Sequence, residues 1–244
     1  MSFWQRWGNI FRNPAKAFWD IRHSENRGNS FLVILLNAIL LGLQALAFMT
    51  HINIVGWGNA SVGFQAEMAL FLPINLGVFT CFFIVGFLYY LLFFLVVNFI
   101  YGKGANYAGY AGGKDVKSFP IVMYAMAPTL LVGVINVLVT LVAVPTYDVT
   151  IPGRSGSQIL IDGQLFTDVL RGMFVGSSGE PRPVWVAIEV LNIVVYLTWI
   201  PVLVTIGLRE VFEVSTARMY LSAMVCSIII VAVFFATRVT ITGL

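Results

Sequence analysis

Apolar positions along this chain fall into five long runs separated by short polar stretches. A bilayer core about 30 Å thick takes about 20 apolar residues of helix to cross. The runs at 31–50, 74–101, 119–144, 185–208 and 220–237 supply that length or close to it. They predict five membrane-crossing helices. The second run is over-long, because apolar residues start at Met68 and continue to Ile100. That stretch would reach about 50 Å as one helix. Pro73 is therefore the expected break, with the preceding residues lying at the membrane surface.

Ahead of the first run the pattern is amphipathic. Trp4, Trp7, Ile10 and Phe11 recur at helical spacing and share one face. Asn13-Pro14 interrupts that helix and starts a second, because proline suits a first turn and asparagine can cap it. The second helix is expected to carry Ala15, Phe18, Trp19 and Arg22 on one side. Two short aromatic-faced helices bearing arginine suit the headgroup layer. Residues 1–30 are thus an expected interfacial, cytoplasmic foot, and 31–244 a five-span membrane domain. Aromatic anchoring is the plain role of such a foot. The sharper role is a docking platform for a partner, in which case deleting residues 1–22 should release the partner and leave the bundle folded. A secretory leader is not expected, since the apolar core begins only at Phe31.

One connection is too long for a simple turn. In 145–184, Tyr147, Val149 and Ile151 alternate, a Pro152-Gly153 turn follows, and Ile159 and Ile161 alternate again. This spacing predicts a β-hairpin. Leu165, Val169, Leu170 and Met173 then predict an amphipathic helix. The result would be a small external subdomain, a lid on the membrane surface or a contact for another subunit.

Composition fixes the solvent. Apolar residues make up 59% and charged residues 10% of the 244, against about 25% charged in soluble domains. A water-soluble enzyme and a disordered chain are excluded. A net charge of +3 is too small for a nucleic-acid partner, but the placement of the cations carries topology. Segments 1–30, 102–118 and 209–219 hold 10 of the 14 Lys and Arg. Basic residues stay inside, so the N-terminus is expected in the cytoplasm and the C-terminus outside. Cys81 and Cys226 lie in apolar runs and read as packing residues.

Candidate chemistry is sparse. Glu189 is the one acidic residue inside a predicted span, with Asn192 one turn on. Such a carboxylate suggests either proton or cation handling, or a structural pair with Arg182 or Arg238. Asn37, Gln44, Asn75, Asn98 and Asn136 sit in or at the ends of other spans, where amides commonly bond helices together. Ala125, Thr129 and Gly133 form a small-residue strip on the third span, as do Ala223 and Ser227 on the fifth. Pro128 and Pro201 lie inside spans and should kink them. The glycine-rich stretch 102–113 is not a phosphate loop: Ala108 stands where glycine is required, and Asp115 follows Lys114 in place of Ser or Thr. His23 and His51 fall on opposite predicted sides, so neither a zinc site nor a catalytic triad can be built from them. Asn59-Ala60-Ser61 is a glycosylation sequon on the predicted outer side.

Several of these features together resemble the Yip (Ypt/Rab-interacting protein) membrane family, particularly its compact bacterial and archaeal members. They are Asn13-Pro14-x-Lys16-Ala17-Phe18, the glycine-rich connection after the second span, and Phe119-Pro120-x-x-x-Tyr124-Ala125-x-Ala127-Pro128. The resemblance covers the whole chain apart from an enlarged 145–184 connection. It implies five spans with a cytoplasmic N-terminus, and in eukaryotic relatives small-GTPase binding and vesicle organisation. Those relatives carry an acidic cytoplasmic region and an Asp-Leu-Tyr-Gly-Pro motif; this chain has neither, and Met123-Tyr124 stands in place of their Gly-Tyr.

The expectation is an all-α bundle of five transmembrane helices with interfacial N-terminal helices, in a prokaryotic cell membrane. It is a non-enzymatic scaffold or accessory subunit without a cofactor, touching the bilayer and a protein partner through the foot, the 102–118 connection and the external connection. The competing class is part of a transporter or channel for a small solute, ion or lipid, using Glu189 between kinked spans three and four.

Overall fold

The structure is a computed structural model, and it describes residues 1–23, 28–55, 64–109, 118–144, 147–150, 183–212 and 214–242. Two short helices, α1 (Phe3–Arg12) and α2 (Pro14–His23), precede a 3-10 turn (Gly28–Ser30) and α3 (Phe31–Met49). After strand β1 (Ile52–Val55) come α4 (Phe64–Tyr107), α5 (Ser118–Ala125) and α6 (Pro128–Ala143). Strand β2 (Tyr147–Thr150) leads on to α7 (Pro183–Val194), a π-helical segment (Val195–Trp199), α8 (Ile200–Phe212) and α9 (Thr216–Thr242).

Five stretches are long and apolar enough to cross a membrane: Phe31–Met49, Asn75–Tyr107, Ser118–Ala143, Pro183–Arg209 and Thr216–Val233. Each corresponds to one predicted run. Helices without a hydrophobic force between them in lipid must pack through close contact and hydrogen bonds, and here they close into a cycle. Span one lies against span two, two against five, five against four, four against three, and three returns to one. Outward residues of α4 such as Ile84, Leu88, Leu92 and Phe99 are exposed, as expected of a surface that meets acyl chains.

One expectation changes, and one strand gains a partner that the spacing did not suggest. Helix α4 runs unbroken through Pro73, so proline does not end it and the stretch from Phe64 is part of the same helix. Tyr147–Thr150 does form a strand, but its partner among the described residues is Ile52–Val55 in parallel register, with Ile52 beside Tyr147 and Val55 beside Thr150. The 159–161 arm of the expected hairpin, the 165–173 helix and the Asn59 sequon lie outside the described residues. The two connections at that end of the bundle are thereby tied to each other.

The two internal prolines are handled differently. At Pro128 the helix stops and restarts: α5 ends at Ala125, and proline occupies the first turn of α6, where its missing N–H costs nothing. Tightened i→i−3 bonds bridge the gap, from Ala127 N–H to Tyr124 O (3.0 Å) and from Thr129 N–H to Met126 O (2.9 Å). At Pro201 the helix stays continuous and widens upstream instead. Ile200 N–H reaches Val195 O five residues back, and the wider turn gives the proline ring room.

Candidate functional site

The foot is built by local signals. Ser2 Oγ accepts from Gln5 N–H (3.3 Å), and Gln5 Oε1 accepts from Ser2 N–H (2.9 Å), a reciprocal cap on α1. Asn13 Oδ1 accepts from Lys16 N–H at 3.2 Å and caps α2. The faces that bury differ from those the aromatic spacing suggested. Phe3, Arg6 and Ile10 are buried on α1, and Ala17, Phe18 and Ile21 on α2, whereas Trp4, Ala15 and Trp19 are exposed. Counting apolar residues misplaced the face because an arginine occupies its centre.

Arg6 is 3% exposed, and a buried charge needs a partner. Its Nε donates to Asp20 Oδ2 at 2.6 Å, and the N-terminal ammonium lies 3.2 Å from Asp20 Oδ1. Burial pushes the Asp20 carboxyl pKa up, but the hydrogen bonds from Arg6 and the N-terminal ammonium more than offset it and hold the pKa below its ordinary value. Burial likewise opposes the Arg6 charge, and Asp20 with the neighbouring Tyr124 overcomes this and holds its pKa above the usual value. The Tyr124 hydroxyl is beside this pair yet outside hydrogen-bond geometry.

This hairpin lies along the bundle, not merely beneath it. Phe3 meets Tyr124 (centroids 5.9 Å), Trp4 meets Trp7 (6.4 Å), Trp7 meets Phe11 (5.1 Å), and Phe11 meets Trp199 (5.1 Å). Tyr124 is about 9 Å along its span from Ser118, and Trp199 about 15 Å along its span from Arg209, at 1.5 Å per residue. Phe18 sits nearer the end, against Gly207, where an added Cβ would lie 2.9 Å from the Phe18 ring and 2.5 Å from Ile121. The foot shares one hydrophobic cluster with all five spans. Deleting residues 1–22 would uncover part of that cluster.

Several polar groups inside the spans tie helices together. The Thr129 hydroxyl is shared as donor between Met126 O (2.7 Å) and, across the α3–α6 contact, Asn37 Oδ1 (3.2 Å), with Asn37 Nδ2 donating to Val33 O (2.8 Å). Two turns along α3, Gln44 Nε2 donates to Thr140 Oγ1 at 3.4 Å. Gly133 belongs to the same contact, since a Cβ there would meet Leu40 at 2.8 Å. Between α4 and α9, Tyr101 Oη and Ser227 Oγ are 2.6 Å apart, Ser222 Oγ donates to Gly104 O (2.5 Å), and Cys226 Sγ approaches Ile100 O (3.4 Å). Thr129 and Gly133 of the strip on span three, and Ser227 of the strip on span five, lie in these two seams. Tyr101, Ser222 and Gly104 went unnoticed in the sequence because a lone tyrosine or glycine in an apolar run has no distinguishing pattern.

Glu189 lies on span four. With Asn192, Ile193 and Tyr196 on one face of span four, it lines a pocket closed by Phe93, Ile230 and Val231. Asn192 Nδ2 is engaged by Ile188 O at 3.0 Å. None of Asn37, Gln44, Asn75, Asn98 and Asn136 lines this pocket. Pro201 lies two residues beyond the π segment that carries Tyr196.

No curated protein and no solved structure matches the chain. The Yip1 domain family model does, over residues 8–237, a range that includes most of the foot and all five spans. With that coverage on five membrane-spanning helices, the chain belongs to the Yip1 family of multi-pass integral membrane proteins.

Proposed function

We propose that the protein is a non-enzymatic membrane scaffold or accessory subunit, with the foot and the Arg209–Arg218 turn on the cytoplasmic side and the C-terminus outside. The observation that carries this reading is the use of span polar groups as joints: Asn37–Thr129, Gln44–Thr140 and Tyr101–Ser227 each hold two helices in register. A rigid closed bundle is what a platform requires. The bias of basic residues supports the orientation. The foot anchors the bundle in the interface, and partners engage the connections at 102–118 and 145–184. Gentle purification of the full chain, beside a variant with 110–117 replaced by a Gly-Ser linker of equal length, tests this. Loss of a co-purifying protein from the variant is expected; an identical set of partners, or none from either, overturns it.

A second reading rests on the Glu189 pocket beside the π segment, since π turns often accompany functional sites. It makes span four part of a path for a small solute, ion or lipid. Flux in proteoliposomes that falls on Glu189→Gln supports it, and flux unchanged by that substitution removes the role of the carboxylate.

A further inference from the structure

The foot hides one face and presents another whose composition is unlike the first. Its hidden face consumes the single acidic residue of the described foot: Asp20 is engaged with Arg6 and the N-terminal ammonium. The outward face is left with cations and aromatic rings. Trp4 is 65% and Trp19 56% exposed, and Arg12 and Lys16 are exposed on the helices that carry them. At the same end of the bundle, Lys103, Arg209 and Arg218 are exposed near the ends of three spans. Among the described residues none of these five cations meets a carboxylate.

Depth decides what this surface meets. Because α1 is gripped by Tyr124 and Trp199, about 9 and 15 Å along their spans, its outward residues are flanked by the bundle and not held away from it. An amphipathic helix buried to about 5–10 Å sits at the boundary of headgroups and acyl chains. Tryptophan rings favour that layer, and Arg and Lys stems reach from it to the phosphates. Among the described residues this surface carries five cations outside any ion pair, and such a surface discriminates by charge among the lipids it meets.

We infer that the outward face of α1–α2 and the adjoining span ends select anionic phospholipid headgroups from a mixed bilayer, with Arg12 and Lys16 as the principal contacts. The inference rests on the anchoring role proposed above for the foot and adds to it the chemistry of the lipid.

Collisional quenching of tryptophan tests it. The full chain is reconstituted in phosphatidylcholine vesicles in which a tenth of the lipid is brominated, either as phosphatidylglycerol or as phosphatidylcholine. The component of fluorescence lost on Trp4→Phe/Trp19→Phe reports the foot. The expected result is stronger quenching of that component by brominated phosphatidylglycerol, reduced by about fivefold in lipid partition for each cation removed in Arg12→Gln and Lys16→Gln. Equal quenching by the two lipids, or a preference that survives Arg12→Gln/Lys16→Gln, overturns lipid selection while leaving the anchor intact. Absence of quenching by either lipid overturns the anchor and the selection together. Both exchanged residues are exposed, so the variants keep the core that holds the foot in place.

Discussion

Two close contacts in this molecule are each built around a glycine, yet different forces hold them. Where α2 meets α8, Gly207 admits Phe18 and Ile121, and the approach is completed by aromatic rings and the Arg6–Asp20 pair. Where α4 meets α9, Gly104 admits Cys226 and Ser222, with a Cβ at that site lying 2.6 Å from each, and the approach is completed by hydroxyl and thiol bonds to backbone and tyrosine. On the interfacial placement proposed above the foot meets water as well as lipid, so burying Phe3, Ile10, Phe18 and Ile21 contributes to its docking. The spans have no such drive between them, because acyl chains are as apolar as their side chains. Close fit and hydrogen bonds take over there.

The comparison is sharpest at the ion pair. Asp20→Ala strands the buried Arg6 guanidinium, and removing one partner of a buried pair costs about 3–5 kcal/mol. The partial exposure of Asp20 places the loss near the lower end. Foot docking, followed by protease protection of 1–23 in detergent, should fail. The Arg6→Met/Asp20→Leu double variant should recover most of it, since apolar replacement of both partners is often neutral. The sign with pH follows from the depressed Asp20 pKa. Its contribution is fully present above the unfolded carboxyl value of about 3.9 and is lost as pH falls below that through the folded value. Acid titration of docking should therefore show a transition that Asp20→Asn removes.

Gly207→Val should come next. Overpacking costs about 1–3 kcal/mol, and here it presses on the Phe18 ring and Ile121 together. Undocking of the foot with the five spans still helical by circular dichroism is the expected result. Gly104→Ala tests the other contact. Its neighbours are side-chain tips that can turn aside, so a loss of about 1 kcal/mol, the low end for overpacking, should appear in the melting of the bundle while the foot stays protected. The smallest effect belongs to Tyr101→Phe, which removes one interhelical bond worth about 0.6 kcal/mol on average. A foot that loosens on Gly104→Ala would erase the distinction drawn between the two contacts.

Much of this architecture is legible in the sequence because the period and length of apolar runs report the solvent directly. The first span begins at Phe31 and ends at Met49, a residue from its expected end. The foot helices and the Asn13 cap follow from local chemistry that needs no tertiary context. What escaped depends on partners far away in the chain. Arg6 looks like a surface residue until Asp20, fourteen positions on, neutralises it. Pro73 reads as a break, yet the helix continues through it. Pro128 and Pro201 both read as kinks, and neither residue announces that one restarts a helix while the other widens it. For the pocket, Glu189 and Asn192 were visible as neighbours on one helix, but Phe93 and Ile230 come from spans whose adjacency no periodicity reveals.

The π segment ahead of Pro201 stores one more residue than a regular helix of the same rise would hold. A version of this span shortened by a single position between Val195 and Trp199 would close into ordinary turns without swinging either flank, so Glu189 and Asn192 would keep their aspect on one side, and Leu203 and Thr205 on the other. The proline would then crowd the carbonyl of an α-turn and bend the rod. Length at this point is exchangeable for curvature, whereas a one-residue change elsewhere in the span would rotate a flank by about 100° and pull its seams out of phase.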